Sequence, residues 1–210
     1  LTEPLALGVL VSGSGSNLQA ILDAIADQRL HAECKVVISN RPGVQALSRA
    51  QLAHVPTQVI DHKGFANREE FDGQLVRSLR AHGVEWVALA GFMRVLTPVF
   101  LDAFADHVVN IHPSLLPAFP GVDAQAQAFS YGVQVTGCTV HFVDVGVDSG
   151  PIILQKTVPV LAADTKESLG HRILEQEHLA FVQALELIAR GQVKRQHGSR
   201  RVQVTEPGKG

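Results

Sequence analysis

Four short apolar runs separated by helix-patterned stretches fill the first ninety residues, and that alternation leaves the chain few folds to choose from. The runs are "LALGVLVSG" (residues 5–13), "KVVISN" (35–40), "TQVID" (57–61) and "VEWVALAG" (84–91). Between the first two, Leu18, Ile21, Leu22 and Ile25 recur at helical spacing. "GVQALSRAQLAHV" and "NREEFDGQLVRSLRAHG" fill the next two gaps in the same manner. Strands apolar on both faces and separated by helices predict right-handed βαβ crossovers and a parallel sheet.

"HVVNIH" (107–112) reads as a fifth strand. The pattern then changes, because "VQVTGCTVHFVD" and "GPIILQKTVPV" are two extended runs joined by a short turn, which predicts an antiparallel addition. A long helix over about residues 165–190 follows, then "GQV" and a polar tail. The expected fold is a single α/β domain, doubly wound, with a mixed but mostly parallel sheet flanked by helices. Its 210 residues, 46% hydrophobic, suit one core.

Charge excludes some partners. A formal net charge of -2 offers no global field for nucleic acid or anionic membrane. "KRQHGSRR" (194–201) is locally basic but has no aromatic stacking residues, so it reads as a solvated surface segment. No apolar run approaches a bilayer span, and "LTEPLALGVLVSG" lacks a basic leader, so the expectation is a cytoplasmic protein without a signal peptide. Cys34 and Cys138 each sit in a strand-like run and are expected to behave as small buried apolar residues in a reducing compartment.

Three segments carry chemistry. "SGSGSNLQA" follows the first strand and opens the first helix; Gly13 and Gly15 allow tight turning and close approach, and Ser14, Ser16 and Asn17 offer donors at a helix N-terminus. This suits a phosphate. It is neither the dinucleotide fingerprint, since Leu18 stands where a third glycine belongs and Asn40 ends the second strand, nor a P-loop, since no Lys-Ser/Thr pair follows. A phosphomonoester is the better fit.

The second segment is "NIHPSLLPAFPG" (110–121). Asn110 and His112 end a strand on one face of it, and Pro113 biases His112 towards an extended conformation. The third is "DVGVDSGPIILQ", in which Asp144 and Asp148 flank a glycine turn. Two readings of Asp148 stay open here: a solvated turn carboxylate, or a partner that keeps His112 charged. "GFMRVLTP" (91–98) follows the fourth strand; Met93, Val95 and Leu96 around Arg94 are either core or an apolar wall for a flat heterocycle. No paired-Cys or H-E-x-x-H pattern suggests a metal, and "SGSGS" lacks the spacing of a serine-hydrolase elbow.

Taken together, "SGSGSNLQA", "VALAGFMRVLTP", "VNIHPSLLPAFPG", "VTGCTVHFVDVGVDSGPIILQ" and "EQEH" resemble the glycinamide ribonucleotide formyltransferases, folate-dependent enzymes of purine biosynthesis. The resemblance covers roughly residues 5–193. It implies a formyltransferase domain over 1–194, with a phosphate-binding half to about residue 105 and a folate half from about 106, then a tail over 195–210. It implies that Asn110, His112 and Asp148 are catalytic, that Gly15, Ser16 and Asn17 bind the substrate phosphate, and that Glu177 contacts the sugar or glycinamide end. Arg68, Met93, Arg94, Val95, Leu96 and Asp144 would line the folate pocket. The co-substrate would be 10-formyltetrahydrofolate, with no metal or redox cofactor. Partners would be small molecules only, with monomer and homodimer both open.

Asp123 and Gln125 stand where several such enzymes carry histidines, which puts ligand contacts from that helix start in question. His141 is either a second orienter of the site or an ordinary strand histidine. The alternatives are a formyltetrahydrofolate deformylase, which generally carries an extra N-terminal domain, and a non-catalytic phosphosugar- or folate-binding module.

Overall fold

The computed structural model describes residues 3–196 and 199–205; the rest of the predicted tail, residues 197–198 and 206–210, lies outside them. The chain divides into two compact units, Leu1–Asn110 and Ile111–Gly210.

In the first unit, β1 (Leu5–Val11), β2 (Ala32–Ser39), β3 (Thr57–Val59), β4 (Trp86–Leu89) and β5 (Val108–His112, running across the division) pair in parallel. Helices α1 (Ser16–Ala26), α2 (Gln45–Leu52), α3 (Arg68–Ala81) and α4 (Pro98–Ala103) connect them. Strand β1 pairs with both β2 and β4, so the winding reverses between β1 and β4. Ligands of open α/β sheets bind outside the carboxyl ends of the strands at such a reversal. Here those ends lead into the Ser12–Gly15 turn and the Ala90–Leu96 segment.

Packing explains the helix positions. Leu18 and Ile21 of α1, and Phe71, Leu75 and Leu79 of α3, are fully buried with Leu7, Leu10 and Ile38 of the sheet. Asn67 starts α3 by accepting the Glu70 N–H at 2.8 Å. Asp72, buried on α3, accepts from both the N–H (2.6 Å) and the hydroxyl (2.7 Å) of Thr97, which precedes α4. Burial pushes the Asp72 carboxyl up, and the two Thr97 hydrogen bonds only partly oppose it.

The second unit contains α5 (Ala124–Tyr131), the antiparallel pair β6 (Val135–Phe142) and β7 (Ile152–Pro159), and α6 (Lys166–Ala189), which packs on both strands. Helix α6 begins with a reciprocal cap: Thr165 accepts the Ser168 N–H and Ser168 accepts the Thr165 N–H. Its face of Leu169, Ile173, Phe181 and Leu185 is buried. Gly137 of β6 admits no side chain, since a Cβ there would lie 1.9 Å from the Lys156 carbonyl of β7. The main sheet has the order β3-β2-β1-β4-β5-β6-β7, a mixed and mostly parallel α/β architecture as expected.

Four elements were not legible beforehand. Helix α4 has only six residues and α5 eight, the latter's buried face being just Ala124 and Ala128. Strands β8 (Val193–Arg195) and β9 (Val202–Val204) pair as a small antiparallel hairpin across the boundary drawn at residue 194. Cys34 and Cys138 are buried free thiols, each pushed up to about 12 chiefly by burial. Among the described residues no helix is long and apolar enough to cross a membrane.

Candidate active site

The first unit supplies an anion-ready turn. Gly15 precedes α1 with φ 74, and a Cβ on it would lie 2.6 Å from the Ala46 side chain, so the position needs glycine on both counts. Gly13 is different: a Cβ there would meet nothing within 4 Å. No side chain caps α1 at Gly15, and the positive end of the helix dipole at this turn favours an anion. Arg49 of α2 braces the turn, its Nε donating to the Ser14 carbonyl at 2.9 Å and its Nη1 to Gln19 at 3.1 Å. Nothing in the spacing around Arg49 marked it beforehand. Ser16 is half-buried and Asn17 buried.

Ser12 ties this turn to the segment after β4. Its hydroxyl donates to Asn40 Oδ1 at 2.6 Å and accepts the Met93 N–H at 2.9 Å. Of the predicted folate-lining residues here, Met93 (69% exposed) and Val95 offer apolar surface and Arg94 is half-buried. Leu96 is core, and Arg68 is exposed at the first turn of α3. Asn110 is half-buried and pairs with Leu89 in the β4–β5 ladder.

The second unit holds His112, 5% exposed, between two acceptors. Its Nδ1 lies 3.3 Å from Asp148 Oδ2, and its Nε2 donates to the Phe119 carbonyl at 2.8 Å. A ring facing an acceptor at each nitrogen has the surroundings that an imidazolium, which donates at both, satisfies. Asp148 has φ 50, in the left-handed region. Its Oδ2 accepts the Gly121 N–H at 2.8 Å, and its Oδ1 is 3.7 Å from His141 Nε2. Burial pushes this carboxyl up, but the nearby His141 imidazole, the Gly121 hydrogen bond and the charge of His112 outweigh that and hold it below its ordinary value. His141 is itself buried, its Nδ1 donating to the Phe142 carbonyl at 2.8 Å.

The loop after His112 is stapled from within. Thr139 of β6 donates its hydroxyl to the Ser114 carbonyl (2.7 Å) and accepts the Leu116 N–H (3.0 Å), while Gln155 of β7 donates to the Leu116 carbonyl (2.9 Å). The Leu116–Pro117 bond is cis. Asp144 closes its own turn by accepting from Gly146 N–H and the Ser149 hydroxyl. Glu177 is buried on α6, close enough to Cys138 to help push that thiol up. Asp123 precedes α5 at φ 58 and pairs with Lys166 at 2.8 Å; Gln125 is half-buried.

A family model described as formyl transferase matches residues 6–185. The phosphoribosylglycinamide formyltransferase of Bacillus subtilis is 42% identical over 81% of this chain and 87% of its own length. The trifunctional purine biosynthetic protein adenosine-3 of Drosophila melanogaster is 51% identical over 88% of this chain, which spans only 14% of that relative's length. Among solved structures, glycinamide ribonucleotide transformylase 1 from Symbiobacterium toebii superposes with a TM-score of 0.95 at 48% identity, covering 98% of this chain and 96% of that one. With the strand order, the segments that end the strands and the match along most of the sequence in agreement, the chain belongs to the formyl transferase family.

Proposed function

We propose that this protein transfers the formyl group of 10-formyltetrahydrofolate to the glycinamide amine of 5'-phosphoribosylglycinamide, a step of purine biosynthesis. The observation that carries the reading is the buried His112, with an acceptor at each ring nitrogen and the lowered carboxyl of Asp148 at one of them. Such a ring is an electrophilic donor ready for an oxygen that gains charge.

The amine attacks the formyl carbon, and its carbonyl oxygen becomes an oxyanion. Asn110 and His112 donate to that oxyanion; losing one such donor costs about 3–4 kcal/mol in activation free energy. To reach it, His112 Nε2 exchanges the Phe119 carbonyl for the oxyanion. Asp148 holds the ring's other nitrogen and organises the proton transfer from the attacking amine to the folate nitrogen as the old C–N bond breaks. The balance is closed: one N–C bond forms, one breaks, and one proton moves.

Gly15, Ser16 and Asn17, with the uncapped N–H groups of α1, hold the substrate phosphate, and Glu177 holds the sugar or glycinamide end. Arg68, Met93, Arg94, Val95, Leu96 and Asp144 line the folate pocket, Leu96 from behind, as core. The folate is consumed as a co-substrate, and the chemistry invokes neither metal nor redox cofactor. The proposal includes a cytoplasmic location and small molecules as the only partners in the reaction.

The test supplies both substrates and follows tetrahydrofolate release with and without the ribonucleotide. Release that depends on the ribonucleotide supports the transferase. Release without it would make the protein a hydrolase, and no release in either case would leave a binding module.

A further inference from the structure

Asn40 directly follows β2, where a dinucleotide-binding sheet presents an acidic side chain to its ligand. Here the residue is 1% exposed, and the reaction proposed above gives it no part. Its amide is turned to other side chains: Oδ1 accepts the Ser12 hydroxyl at 2.6 Å, and Nδ2 lies 3.2 Å from His62 Nδ1. The same ring nitrogen is 3.1 Å from the Asn40 carbonyl. Unprotonated, it accepts from the amide; protonated, it donates to the carbonyl, so it holds Asn40 in either form. His62 is fixed in turn by a 3₁₀ turn, His62–Gly64, whose cap Asp61 accepts the Lys63 N–H at 3.0 Å. Its ring also packs edge-on against Phe71, with centroids 6.3 Å apart.

Ser12 carries this hold to the segment after β4. The hydroxyl is buried, and while it donates to Asn40 it accepts the Met93 N–H at 2.9 Å. Met93 and Val95 are exposed between the buried Phe92 and Leu96, so the stretch gains little from its own packing. Its far end is gripped separately, by the Asp72 carboxylate on the N–H and hydroxyl of Thr97. The links Met93 to Ser12 to Asn40 all donate in one direction, and hydrogen bonds arranged so polarise and strengthen one another.

We propose that Ser12, Asn40 and His62 are positioning residues, which act through the Met93 backbone to set where the Met93–Val95 stretch stands and so how well it fits the folate. Loosening any of the three frees the Met93 N–H and blurs that wall of the pocket, while the groups that carry the chemistry are untouched. The effect on folate rests on the function proposed above; the hydrogen-bonded chain does not.

Amide hydrogen exchange followed by NMR on the full chain reads the links residue by residue. Ser12→Ala should speed exchange at the Met93 N–H on the order of tenfold, and His62→Phe, which keeps a ring against Phe71, about threefold. His62→Asn places an oxygen near the position of Nδ1 and should restore slow exchange. The Val87 and Leu89 amides of β4 should exchange as in the wild type in all three variants. In kinetics, KM for 10-formyltetrahydrofolate should rise roughly fivefold in Ser12→Ala and His62→Phe with kcat little changed, and recover in His62→Asn. Unchanged Met93 exchange in Ser12→Ala or His62→Phe, no recovery in His62→Asn, or an equal acceleration across β4 overturns the chain of contacts. Faster Met93 exchange with an unaltered folate KM overturns the positioning role. The expected exchange pattern in a protein that never consumes formyltetrahydrofolate refutes the proposed function and upholds the chain of contacts.

Discussion

His112 and Asp148, 36 residues apart in the chain, meet at 3.3 Å, which favours the second of the two readings left open for Asp148. Asp148 reaches the ring from a left-handed backbone conformation, φ 50, which Asp and Asn tolerate better than most residues. Its second oxygen faces His141 at 3.7 Å. One carboxylate thus serves two buried imidazoles.

The two glycines of the first turn should separate folding from binding. Gly15→Ala meets a positive φ and Ala46 at 2.6 Å, and should destabilise the protein by about 1–3 kcal/mol. Gly13→Ala meets nothing and should stay within about 0.5 kcal/mol of wild type, yet weaken ribonucleotide binding if backbone approaches the phosphate there. Urea unfolding and a ribonucleotide titration read the two effects apart. Equal stability losses in both variants would contradict the assignment.

Most of the scaffold was legible because its signals are periodic. Leu18, Ile21, Leu22 and Ile25 mark α1 by spacing alone, and strands buried on both faces announce a parallel sheet. Helix α5 was not legible, since alanines on its buried side make no apolar stripe. The pair Asn110 and His112 stood out because a strand ended at prolines. What could not be read was tertiary: the Phe119 carbonyl on His112, Arg49 on Ser14, and Thr139 with Gln155 holding the loop. Backbone carbonyls have no signature in a sequence, and a lone Arg on a helix is usually a solvated one.

His141 should act through Asp148 rather than on substrate. Removing its imidazole, which faces Asp148 at 3.7 Å and helps hold that carboxyl low, should in His141→Leu raise the Asp148 carboxyl, so the acid limb of the kcat profile should move to higher pH. Turnover near neutrality should fall roughly tenfold with KM little changed. His141→Gln, which keeps a donor, should restore part of both. An unshifted acid limb in the leucine variant would remove His141 from the account.

Asp72 gives a pH dependence of stability with the opposite sign to Asp148. Its folded-state value is raised above the ordinary 3.8, so the folded protein binds the proton more tightly than the unfolded chain. Stability therefore falls as pH rises from about 4 through the raised value. Asp148, held below 3.8, stabilises above that range and loses its contribution as pH falls through its lowered value. Asp72→Asn keeps an acceptor for Thr97 and should flatten the first slope in urea unfolding run across pH. A slope unchanged by the substitution would contradict this.

In the proposed mechanism the Asp148 carboxylate holds His112 for the transfer, and Asp148→Asn isolates that role, because asparagine tolerates the same backbone angle. The direct measurement is the kcat of that variant with both substrates saturating, alongside its thermal unfolding. The expected result is a loss of roughly 10²–10⁴-fold in kcat with the melting temperature little changed. Near-wild-type turnover in a folded Asp148→Asn protein would contradict the proposed mechanism.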